Sequence, residues 1–174
     1  VLRAVQTVLE EGFAKPILIG RPNVIEQRIQ RLGLPLQAGV HFELTNIDSD
    51  PRFNEYWQHY HRIMERRGVT PANAKAIVRS RSSVIGALMV ERGEADAMIS
   101  GVVGTLHRKL SYAQDVVGLE AGVELPSSMS ALACDKGVFF FIDTHVQQDP
   151  SAEQLAQATL MGVERLRLLG IRPK

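Results

Sequence analysis

Apolar positions along the chain alternate between short unbroken runs and helical spacings, and most boundaries carry a turn or capping residue. Residues 1–11 place Val1, Leu2, Val5, Val8 and Leu9 on one helical face, and the pattern stops at Gly12. Residues 16–19 predict a short strand closed by Gly20. Residues 24–32 predict a helix with Gly33 past its end. Residues 40–45 alternate as a second strand. Asp50 and Pro51 then supply an N-cap and a first-turn proline for a helix carrying Phe53, Tyr56, Trp57, Tyr60, Ile63 and Met64. That spacing, i, i+3, i+4, makes the aromatic stripe a core-facing surface.

Thr70 and Pro71 start the next helix in the same way, and residues 82–91 predict another. A charged turn leads into 95–99, a predicted strand containing Ala97, Met98 and Ile99, which ends abruptly in Ser100, Gly101, Val102, Val103, Gly104 and Thr105. Residues 106–117 read as helix, ending at Gly118. Residues 128–133 and 138–143 read as two strands joined by the turn Asp135, Lys136, Gly137. Ser151 with Gln154 forms a capping box for a long final helix bearing Leu155, Thr159, Gly162, Val163 and Leu166.

Strands alternating with helices predict a three-layer α/β sandwich with a mostly parallel sheet and an antiparallel pair near 128–143. Residues 17–19, 97–99 and 139–142 are expected among its buried strands. In such sheets ligands bind beyond the carboxyl ends of strands. Residues 100–105 and Asp143 with Thr144 both follow predicted strands there. Small residues at that place let a backbone approach an anion closely. Ser100, Gly101, Gly104, Thr105, Asp143 and Thr144 are therefore the candidate binding residues, with His107 just past the loop, and Asp143 equally suits a helix-capping or turn role.

Composition narrows the function without choosing it. The chain has 174 residues, 45% hydrophobic and 22% charged, which suits a globular domain with a sizeable core. Twenty basic against nineteen acidic residues leave a formal net charge of +1, so nothing draws it to nucleic acid or an anionic membrane. No apolar run is long enough to span a bilayer. The lone Cys134 excludes an internal disulfide, suits a reducing compartment, and reads as a small buried hydrophobe. Val1 sits inside an amphipathic pattern and residues 170–174 resemble the approach to another strand. The sequence thus reads as a segment of a longer cytoplasmic protein.

Tests for chemistry are mostly negative. The sequence has no G-x-x-x-x-G-K-[ST], and Gly101-Val102-Val103-Gly104 is not a dinucleotide fingerprint. His59 and His61 point roughly 200° apart on a helix, so they share no metal ion and are expected to be exposed. No metal site and no catalytic triad can be assembled from spacing.

Three stretches, "SDPRF" (49–53), "ERRGVTPANAK" (65–75) and "GEADAMISG" (93–101), resemble phosphate acyltransferases in order and spacing. With "KPILIGRPNVIEQRIQRLGL" (15–34) and "DPSAEQLA" (149–156), they resemble in particular the phosphotransacetylase-like C-terminal region of large bacterial NADP-dependent malic enzymes. The resemblance covers the whole chain. It implies a phosphate acetyl/butyryltransferase-like fold of which residues 1–174 form the N-terminal part as a single segment. It implies malic enzyme catalytic domains upstream, which oxidatively decarboxylate malate to pyruvate with NADP and a divalent metal (Mg or Mn).

The acyltransferases carry an arginine in an "LRK-x-KG" stretch; aligned on Gly68, that position is Met64. Their second arginine, past the "SG" of the loop, falls on Ser111. Neither a thioether nor a hydroxyl replaces a guanidinium's bidentate hold on phosphate. The resemblance therefore implies a region that binds acetyl-CoA as a regulatory effector and forms a homodimer within a larger assembly, with no catalytic residue of its own. The alternative it leaves open is an active phosphate acetyltransferase.

Overall fold

The computed structural model describes residues 1–101 and 103–173 and divides into two compact units, Val1–Val117 and Gly118–Lys174. In the first unit, α1 (Leu2–Glu10) precedes β1 (Ile17–Ile19), α2 (Pro22–Leu32) and β2 (Glu43–Thr45). β1 and β2 pair in parallel, Ile17 opposite Glu43 and Ile19 opposite Thr45, with α2 as the crossover. Pro22 opens α2, and Gly33, at φ +62°, ends it in the left-handed conformation that a Cβ would disfavour. Around this unit Val5, Ile29, Leu36 and Phe42 form a small core.

The main core lies among α3 (Phe53–Met64), α4 (Pro71–Ser80), α5 (Ser82–Glu91) and α6 (Leu106–Val117). The aromatic stripe of α3 faces inward as expected, with Tyr56 1% and Tyr60 2% exposed. Thr70 caps α4 by accepting from the Asn73 N–H at 3.2 Å. α5 is apolar on every side, and Val84 through Met89 are all buried, so it is the central helix of the unit. Asp50 and Pro51 do not begin α3 themselves. Asp50 Oδ1 instead accepts from the Arg52 N–H at 2.8 Å, and the helix starts at Phe53.

The second unit contains β3 (Met129–Cys134), β4 (Gly137–Ile142) and α7 (Ala152–Leu168). β3 and β4 form the expected antiparallel hairpin, Leu132 opposite Phe139. α7 packs on it at Gly162, where an added Cβ would collide with Ile142. The Ser151–Gln154 capping box is present in both directions.

The α/β class stands, with three corrections to its details. Residues 97–99 have no ladder partner among the described residues and are not a strand; Met98 packs into the main core while Ile99 is fully exposed. An apolar run supplies side chains to bury, but a strand also needs a neighbouring edge for its backbone. Residues 139–142 are a strand, yet Phe139 and Phe141 are half-exposed, because only the opposite face of the hairpin packs on α7. Cys134 is exposed rather than buried, since it lies at the turn end of that hairpin, opposite Gly137. Among the described residues no helix is long and apolar enough to cross a membrane.

Candidate functional site

The loop after residue 99 is held by side chains from two helices. Ser100 Oγ lies 2.9 Å from Ser83 Oγ, on the first turn of α5, and accepts from Lys109 Nζ, on α6, at 3.2 Å. The Val103 N–H donates to the Gly101 carbonyl at 2.9 Å. Gly104 sits at φ +90°, where an L side chain is strained, so glycine there is a backbone requirement. Gly101 has ordinary φ, and a Cβ built on it meets nothing within 4 Å, so its backbone faces open space. Thr105 and His107 are exposed at the start of α6.

Beside the loop lies a cleft of about 490 Å³ walled by Ile17, Leu18 and Ile19 of β1, by α2, and by Gly86, Met98 and Ile99. Ser82, Ser83 and Ser100 add hydroxyls to its lining, and Arg28 adds a guanidinium. An apolar cleft with a few converging polar groups is the usual form of a small-molecule site.

In the second unit, Asp143 follows β4 at φ +54°, an uncommon conformation for a residue with a Cβ. Its Oδ1 is buried without a hydrogen-bond partner, as is Ser127 Oγ. Thr144 Oγ1 lies 2.9 Å from Ser130 Oγ and 3.4 Å from Ser128 Oγ. Thr144 thus joins a hydroxyl cluster that the sequence did not reveal.

The two positions aligned with family arginines offer no charge. Met64 is buried in the main core, and Ser111 Oγ donates to the Arg108 carbonyl of its own helix at 2.9 Å. Sequence reasoning missed Lys109 and Ser83, since their approach to Ser100 depends on the packing of α5 against α6. His59 is not exposed as expected: it is half-buried, and its Nε2 lies 2.6 Å from Glu91 Oε2 across the α3–α5 contact. His61 is half-buried beside Glu65, 3.9 Å away on the next turn. Among the described residues no three His, Cys, Asp or Glu side chains converge as metal ligands.

A charged network braces the segment that leads to the loop. Arg52 holds Asp50 through two nitrogens, at 3.1 and 3.0 Å, and reaches Glu94 Oε2 at 3.2 Å. Tyr56 donates to the same Glu94 oxygen at 2.6 Å, and Arg92 bonds both Glu94 and Glu55. Burial alone would raise the Asp50 carboxyl, but the Arg52 bonds and charge outweigh it and hold it low. Burial likewise opposes ionisation of Glu94, and bonds from Tyr56 and Arg92 reverse the balance. Both arginines are fully engaged by carboxylates, which makes this network a brace rather than an anion site.

The family described as Phosphate acetyl/butaryl transferase matches residues 1–174. Over all 174 residues the chain is 53% identical to an NADP-dependent malic enzyme of Escherichia coli, of which it spans 23%. It is 30% identical to a phosphate acetyltransferase of Nitratidesulfovibrio vulgaris, of which it spans 24%. The EutD phosphotransacetylase from Staphylococcus aureus has the same fold, with a TM-score of 0.82 at 19% identity over 98% of this chain and 51% of that one.

Proposed function

Because the chain belongs to the phosphate acetyl/butaryl transferase family, and spans under a quarter of its malic enzyme relative, we propose that it is a regulatory region. In this reading it binds acetyl-CoA and forms a homodimer within a cytoplasmic NADP-dependent malic enzyme. The observation that carries the reading is 53% identity to the malic enzyme against 30% to the acetyltransferase. The buried Met64 and the self-capping Ser111 support it, because neither can neutralise charge developing on a transferred group. Binding outlasts turnover when such charge is lost, since backbone N–H groups and small residues remain.

The loop at 100–105 receives the effector, with its phosphates against the exposed backbone at Gly101 and its less polar arm toward the cleft. Oxidative decarboxylation of malate, with NADP and a divalent metal, belongs to the upstream part of the polypeptide. No step of it runs through the residues described here. Coupling between two such sites is typically ~1–3 kcal/mol, so acetyl-CoA should change malate-site behaviour by about 5–150-fold.

A second reading, an active phosphate acetyltransferase, is favoured by one observation, the Lys109 cation at the loop. Assaying acetyl phosphate formation from acetyl-CoA and phosphate, in parallel with malate oxidation, separates the two. Inhibition of malate oxidation without acetyl transfer supports the regulatory reading; robust transfer supports the other.

A further inference from the structure

We propose that Lys109, Ser83 and Ser100 form a seat for a phosphoryl oxyanion, giving the loop a cationic contact in place of the missing family arginines. The three side chains come from α6, α5 and the loop between them, and Ser100 Oγ lies within 3.2 Å of both partners. Gly104, at φ +90°, turns the chain so that the Lys109 stem lies against it, with Cε 3.7 Å from where a Cβ would stand.

Lys109 is a cation held at the loop by a hydroxyl rather than by an acid. Arg52, Arg67 and Arg92 are each engaged by carboxylates, whereas Lys109 Nζ donates to Ser100 Oγ and, among the described residues, no carboxylate oxygen lies within 4 Å of it. Of the three ammonium donors one goes to Ser100 and two remain, and the Ser83–Ser100 pair, which spends one hydroxyl proton between its members, leaves one more to point outward. Such a set matches a group with several acceptor oxygens and negative charge, which is a phosphoryl group. It repels a cation and leaves donors idle on a lone carbonyl. The adjoining cleft, lined by both serines and by Arg28 and walled by Ile19, Gly86 and Met98, suits a ligand whose phosphate is joined to a longer, less polar arm.

The inference rests on the reading above only for the ligand's identity, and the test keeps the two apart. Binding to the full-length chain is measured by calorimetry with three probes: acetyl-CoA, S-acetylpantetheine (the same thioester arm without phosphate) and inorganic phosphate. Lys109→Met, which keeps the stem and removes the charge, should weaken acetyl-CoA binding by about 10- to 100-fold. S-acetylpantetheine binding should stay unchanged, and Lys109→Arg should recover most of the loss. Ser83→Ala, a smaller change, should weaken acetyl-CoA binding by less, about 3- to 10-fold.

Unchanged acetyl-CoA affinity in Lys109→Met overturns the seat, as does equal weakening of both thioesters, which marks a structural role. Lys109-dependent binding of phosphate by a chain that ignores acetyl-CoA upholds the seat and removes the acetyl-CoA reading. A wild-type chain that binds none of the probes overturns both.

Discussion

Arg52 Nη1 lies 3.2 Å from Glu94 Oε2, joining two sequence motifs that stand 42 positions apart. The guanidinium belongs to "SDPRF", and the carboxylate opens the segment that runs to Ser100. Through Tyr56, Asp50 and Arg92, the same brace ties the start of α3 to the turn after α5. The loop's position is thus fixed by charge as well as by the packing of the half-buried Met98 against the main core.

Arg52→Met should therefore destabilise the first unit by about 1.5–3 kcal/mol, because it strips hydrogen bonds from charged, partly buried acids. Thermal melting should fall by several degrees, at roughly 2–4 °C per kcal/mol for a chain of this size. Combining it with Glu94→Gln should cost less than the sum of the two changes. Strict additivity would show that the pair is not coupled.

The same acids set a pH dependence. Asp50 and Glu94 are held below their ordinary values of 3.8 and 4.5, so the unfolded chain takes up protons first as pH falls. Their stabilisation is fully present above those ordinary values and is lost as pH drops through the lower folded ones. Melting temperature measured from pH 6 down to 3 should decline more steeply in wild type than in Arg52→Met; parallel curves would assign the acid sensitivity elsewhere.

Restoring the family arginines should have unequal consequences. Met64→Arg forces a charge into the core beside Tyr60 and should destabilise the chain by several kcal/mol, seen as loss of soluble protein or a large fall in melting temperature. Ser111→Arg, on a half-buried position of α6, should be tolerated within about 1 kcal/mol. Comparable melting of the two variants would contradict the placement of Met64.

Much of this was legible in the sequence because local spacing carries it. The α3 stripe, the Thr70 cap, Gly33 past α2 and the Ser151–Gln154 box each depend on neighbours within a turn or two. What depended on partners was not. Residues 97–99 have a strand's composition but no neighbouring edge among the described residues, and Cys134 has a core residue's chemistry on an uncovered face. His59 gained a carboxylate from a different helix. The loop at 100–105 could be found from its glycines, whereas the lysine that reaches it could not, because the contact of α5 with α6 is what brings Lys109 to Ser100.

The most direct test of the regulatory reading is a titration of acetyl-CoA against malate oxidation in the full-length chain, wild type beside Gly101→Trp. A Cβ at Gly101 meets open space, so the fold accepts the indole while the ligand loses its approach to the backbone. The account predicts saturable inhibition of the wild type and an activity ratio, with and without acetyl-CoA, near one in Gly101→Trp. Equal inhibition of both proteins, or none in the wild type, would contradict it.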